Sequence, residues 1–167
     1  MLVLDASTLI LLAKAELLGL FLDGVELQVV IPAEVAKECC GATRTLDALL
    51  IQKALDESAI HVVSVKNRKF VAKLQTDFSL GQGEAEAIGL AVGEKASLVG
   101  IDDKNGINAC KLLGIPFTTA IGILLRSSEK GLLSRSSALA ALASLARYGR
   151  YKSSIIEDAR LKLEVRE

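Results

Sequence analysis

Short, continuously apolar runs alternate along this chain with stretches whose apolar residues recur at helical spacing. LVLD at 2–5, LQVVI at 27–31, HVVSV at 61–65, SLVGID at 97–102 and IPFTT at 115–119 read as strands. Most are apolar at every position, as in strands buried on both faces of a sheet. The first helix opens at Ala6 or Ser7 and runs to about residue 21, with Leu9, Leu12, Ala13, Leu17 and Leu20 at helical spacing. Pro32 suits the first turn of the next, AEVAKECC, which Gly41 stops. TRTLDALLIQKALDES at 43–58 is amphipathic, and KNRKFVAKLQTDF predicts a short basic helix. Another begins near Gln82 or Gly83 and runs to about Lys95, and DKNGINACKLLG closes at Gly114. AIGILLRSSEKG and SRSSALAALASLARYG follow, the second opened by a serine cap, and the tail from Lys152 to about Val165 is the last helix.

Alternation of this kind predicts an α/β fold of three layers, α/β/α, around a central parallel sheet of about five strands. At 167 residues the chain reads as one domain, spanning 1–167. Hydrophobic residues make up 51% and charged ones 24%, which excludes a disordered chain. Twenty basic and twenty acidic residues cancel, so a globally basic nucleic-acid binder is excluded and any contact with RNA must use a local patch. Cys39, Cys40 and Cys110 are odd in number and form no CxxC, which fits a reduced, cytoplasmic chain with cysteines as small buried hydrophobes. Asp5 interrupts the apolar start where a secretory signal would continue, and no apolar run approaches the ~18 residues of a membrane span. The mean hydropathy of +0.41 then points to apolar surface used in an oligomer interface.

The candidate chemistry is carboxylate chemistry. In parallel sheets, ligands bind beyond the carboxyl ends of the strands, where Asp5 and Asp102 stand. Two such acids on neighbouring strands repel and raise each other's pKa, and a divalent cation removes that penalty. Oxygen donors suit Mg²⁺ or Mn²⁺; one histidine and no ligand-spaced cysteines argue against zinc. Glu38 lies on the helix after the second strand, with Glu34 one turn earlier on the same face. Glu84 opens its helix, where the dipole favours an anion, whereas Glu86 faces another way. Asp103 is a further ligand or a helix cap, and acids near helix starts are often only caps. His61, without partners for a relay or a metal, reads as structural. For RNA contact, KNRKFVAK at 66–73 includes Arg68 and Lys69 among four basic residues. RYGRYK at 147–152 interleaves Arg147, Arg150 and Lys152 with Tyr148 and Tyr151, whose rings can stack on bases. Either run is alternatively a solvated charged face.

Four stretches in order, LVLDASTLI at 2–10, IPAEVAKEC at 31–39, GQGEAEAIGLA at 81–91 and LVGIDDKNGINACKLLGI at 98–115, resemble the motifs of PIN domains. TTAIGILLRSSEKGLL at 118–133 resembles the end of a prokaryotic PIN subfamily often called predicted nucleic-acid-binding proteins. The resemblance implies an α/β nuclease with a central parallel sheet. It implies that Asp5, Glu38, Glu84 and Asp102 are the catalytic, metal-holding acids. Ser7 or Thr8 matches the small hydroxyl residue beside the first Asp. In such a site a second metal or Lys104 would stabilise the leaving oxygen. The expected activity is hydrolysis of single-stranded RNA, leaving 5′-phosphates. Many relatives are VapC-type toxins held by an antitoxin, and dimers are common. VapC-type toxins usually carry Asp where this chain has Glu84, whose extra methylene moves the carboxylate by about 1.5 Å. Two other readings stand beside this one: a non-catalytic module that binds nucleic acid or a partner, and cleavage of DNA or structured RNA by the same site. A phosphatase of the haloacid dehalogenase type would need an acid where Ser7 stands.

Overall fold

The structure, a computed structural model, describes residues 1–41 and 45–165. Its strands are β1 (Leu2–Leu4), β2 (Val29–Pro32), β3 (His61–Val63), β4 (Leu98–Gly100) and β5 (Phe117–Thr118). They form one sheet in the order β3-β2-β1-β4-β5, with every pairing parallel. The helices are α1 (Ala6–Lys14), α2 (Leu18–Gly24), α3 (Ala33–Cys40), α4 (Leu46–Asp56), α5 (Arg68–Phe78), α6 (Gln82–Gly93), α7 (Lys104–Leu113), α8 (Ala120–Glu129), α9 (Arg135–Tyr148) and α10 (Ser153–Glu164).

Side chains alternate across each strand, so the sheet feeds two cores. Leu2, Leu4, Val29 and Ile31 enter one core with α1 to α4 and α8 to α10; Val3, Val30, Val99 and Ile101 enter the other with α5, α6 and α7. This is the three-layer α/β/α arrangement expected from the apolar strands. Gly114 ends α7 in the left-handed conformation and Ser134 caps α9 through the Ser137 amide, as the sequence predicts.

Three expectations change. The single helix expected up to residue 21 is two, α1 and α2. The chain turns at Glu16, whose φ is 59°, and the Leu17 amide bonds back to the Leu12 carbonyl at 2.9 Å. Every residue there is compatible with a helix; burial of both Leu17 and Leu18 under the sheet favours the break. Second, the strands are shorter than expected: HVVSV yields only β3, an edge strand with Val62 half exposed, SLVGID only Leu98–Gly100 and IPFTT only Phe117–Thr118. Third, α4 is seen from Leu46, so the expected start at residue 43 lies outside the described residues, as do the last two residues of the expected 1–167 domain. All three cysteines are free, and Cys39 and Cys110 are buried in the cores.

Candidate functional site

β1 lies at the centre of the sheet, and the chain leaves it for β2 on one side and returns beside it as β4 on the other. The order of the strands therefore reverses between β1 and β4, and a crevice opens beyond their carboxyl ends. Leu4 pairs with Gly100, and the Asp5 amide donates to the Gly100 carbonyl at 3.0 Å. Asp5 follows β1 directly and Asp102 lies two residues beyond β4, so both acids come to this crevice.

Asp5 is fully buried and caps α1. Its carboxylate accepts the Thr8 amide at 2.8 Å and the Ser7 hydroxyl at 2.6 Å. Burial nevertheless pushes its pKa up to about 7, with the charge of Asp102 adding to the rise and the Ser7 and Thr8 hydrogen bonds opposing it. Asp102 accepts the Thr8 hydroxyl at 2.7 Å and the Ala120 amide, at the start of α8, at 2.9 Å. Its other oxygen accepts the Tyr151 hydroxyl. Burial raises Asp102 too, against the pull of Tyr151, Thr8 and Ala120. Burial and the adjacent Asp102 hold the Tyr151 phenol far above its usual value, so it stays a donor.

The second pair of acids comes from helices. Glu38 on α3 accepts the Gly83 amide at 3.2 Å. A Cβ at position 83 would sit 2.5 Å from the Glu38 carboxylate, so glycine permits this approach. Glu84 accepts the Gly81 amide at 3.0 Å and closes the first turn of α6. Burial raises both; Glu34 and Glu86 add to Glu38, while Asp103 and Glu38 add to Glu84. Asp103 caps α7, taking the Asn105 amide at 2.7 Å and the Gly106 amide at 3.1 Å. Glu34 instead pairs with Lys37 at 3.1 Å on the surface. The fold thus couples Asp5 to Asp102, and Glu38 to Glu84 and Glu84 to Asp103. Among the described residues, no three Asp, Glu, His or Cys side chains converge into a ready-made metal cage.

The donor set suits a hard divalent cation. A carboxylate offers about four lone-pair positions, and Asp5 and Asp102 each spend no more than three on protein donors. Each keeps an oxygen position in a place where negative charge is already disfavoured. All donors are oxygens, which fits Mg²⁺ or Mn²⁺.

Several residues have roles that spacing does not reveal. Thr8 bridges both aspartates, and Tyr151 reaches Asp102 from the link between α9 and α10. Glu86 is 2% exposed; Arg68 and Gln82 meet one of its oxygens, and the other has no partner. The contacts of Thr8 and Tyr151 with Asp102, and of Arg68 with Glu86, join separate segments, so spacing signals none of them.

The basic candidates divide. Three of the four cations in 66–73 form ion pairs within the chain while remaining exposed: Lys66 with Glu94, Arg68 with Glu86 and Lys73 with Asp77. Lys69 and Lys104 are exposed. Arg147 lies over the Tyr148 ring at 5.4 Å, and Arg150 and Lys152 are exposed on either side of Tyr151. His61 is exposed on β3. Among the described residues, no helix is long and apolar enough to cross a membrane.

Comparison with known proteins agrees with this architecture. A family model described as a PIN domain matches residues 1–164. No curated protein matches the chain. Five parallel strands, the crevice between β1 and β4 and the acids around it are what a nuclease-type fold of that family provides, and the chain belongs to the PIN-domain family.

Proposed function

We propose that this protein is a metal-dependent ribonuclease that hydrolyses phosphodiester bonds of single-stranded RNA. The observation that carries the reading is the buried Asp5 beside Asp102 in the crevice between β1 and β4. A buried, mutually repelling acid pair costs stability, and function is the usual reason to keep one.

Asp5 and Asp102, with Glu38 and Glu84, would hold Mg²⁺ or Mn²⁺, with Asp103 a further donor. When bound, the ion supplies polarisation of a phosphodiester oxygen and a lowered pKa for water. The protein's own residues do the rest. Ser7 and Thr8 favour the charged form of Asp5 through their hydrogen bonds. Thr8, Ala120 and Tyr151 fix the plane of Asp102. Gly83 lets the α6 backbone approach and orient Glu38. Lys104, exposed beside Asp103, is available to offset charge on the leaving oxygen. Family resemblance supports a 5′-phosphate product, a homodimer and a toxin restrained by an antitoxin.

The test is cleavage of end-labelled single-stranded RNA in Mn²⁺, with wild-type protein and Asp5→Asn side by side. The proposal expects cleavage by the wild type alone; equal cleavage by both removes it. A non-catalytic binding module is the second reading, favoured by the commitment of Glu84 and Asp103 to capping their own helices. RNA binding without metal-dependent cleavage supports that reading instead.

A further inference from the structure

The four-residue link between α9 and α10, residues 149–152, is extended at both ends: Gly149 has φ −89° and ψ 165°, and Lys152 has φ −67° and ψ 145°. In an extended segment successive side chains point to opposite sides. Tyr151 turns inward and donates its hydroxyl to Asp102, 49 positions away in sequence. Arg150 and Lys152 flank it and are exposed. Among the described residues neither forms an ion pair, unlike Arg68 and Lys73 of α5. Gly149 is required for this path. A Cβ there would fall 2.3 Å from the Tyr151 ring and 2.8 Å from the Leu145 carbonyl oxygen. The link therefore holds two cations without ion-pair partners on either side of the residue that bonds Asp102, at the edge of the acidic crevice.

We infer that residues 149–152 form a strap that carries backbone phosphates of single-stranded RNA on Arg150 and Lys152 past the acidic site, with Tyr151 as the positioning residue that latches the strap to Asp102. This rests on the ribonuclease reading for its substrate and adds the path that the strand takes. The charges explain why a polyanion approaches a cluster of carboxylates at all. In a chain with no net charge, attraction has to be local, and Arg150 and Lys152 supply it beside the crevice.

Two measurements test it. The first is the salt dependence of binding of a fluorescent single-stranded RNA in EDTA, which prevents metal-dependent cleavage. Each phosphate contact on a single strand adds about 0.7 to the slope of log K against log salt, so Arg150→Ala/Lys152→Ala should lower the slope by about 1.4. Lys53→Ala on α4, a cation paired with Glu57, serves as the control and should leave it unchanged. The second is limited trypsin cleavage after Arg150 and Lys152 in the exposed link, which Tyr151→Phe should accelerate while weakening RNA binding. A slope unchanged in the double variant overturns the strap and leaves RNA binding standing. Trypsin cleavage of the link at an unchanged rate in Tyr151→Phe overturns the latch. A wild-type protein that binds no RNA at low salt overturns the strap together with the reading beneath it.

Discussion

The Thr8 hydroxyl donates to the Asp102 carboxylate at 2.7 Å, joining residues 94 positions apart. The same residue's amide donates to Asp5 at 2.8 Å, so one buried threonine at the start of α1 orients both strand-end acids. Thr8→Val keeps the shape and removes one donor from a mostly buried carboxylate. We expect a loss of about 1–3 kcal/mol, the cost of leaving such a group short of a hydrogen bond. Urea denaturation of the metal-free protein at neutral pH measures it.

Asp5 predicts an unusual pH profile. Its folded pKa of about 7 lies above its ordinary 3.8, so between these values the folded chain holds a proton that the unfolded chain has released. The stability it contributes is fully present below 3.8 and is lost as pH rises through about 7, by up to about 4 kcal/mol. Asp102, Glu38 and Glu84 are raised as well and act in the same direction. Metal-free protein should therefore melt at a lower temperature at pH 8 than at pH 5.5. Asp5→Asn should flatten that difference, and Mn²⁺ should restore the wild type at pH 8. A wild-type profile already flat without metal contradicts the burial argument.

Arg68 and Glu86 are unequal partners, since the arginine is 59% exposed and the glutamate 2%. Arg68→Ala strands a buried carboxylate that already has one oxygen without a partner, and should cost about 1–3 kcal/mol. Glu86→Gln, which leaves no buried charge, should cost less. Urea midpoints of the two variants give the order, and a larger loss in Glu86→Gln would overturn it.

Gly149→Ala probes the strap from the backbone. The added methyl collides with both the Tyr151 ring and the Leu145 carbonyl, so the link must move and the phenol must leave Asp102. Mn²⁺ affinity, read by calorimetry, should fall in this variant. Gly93→Ala, where the added Cβ meets nothing within 4 Å, should bind as the wild type does.

How far the sequence spoke for the fold depended on distance along the chain. The strand cores around Val3, Val30 and Val99 and the caps at Ser134 and Gly114 are local patterns, and they appear as expected. Asp5 and Asp102 follow from strand ends plus a parallel sheet, which needs no knowledge of packing. The break at Glu16 was hidden because all the residues there tolerate a helix, and tertiary burial of Leu17 and Leu18 decides the matter. Tyr151 reads as a base-stacking ring in its basic run, yet its hydroxyl meets an acid from another segment. The basic run at 66–73 is a surface patch, as it looks, but three of its four exposed cations pair with carboxylates of this chain, and only Glu86 among those is buried. Contacts of that kind are set by the folded geometry of distant elements, which spacing does not encode.

The central claim is that the strand-end acids hold a divalent cation. Calorimetric titration of metal-free protein with Mn²⁺ at pH 8 tests it most directly. The account predicts saturable binding to the wild type, weakened at least tenfold in Asp5→Asn by the loss of one direct ligand, a change of about 1.4 kcal/mol. Binding of equal strength in the two proteins would contradict it.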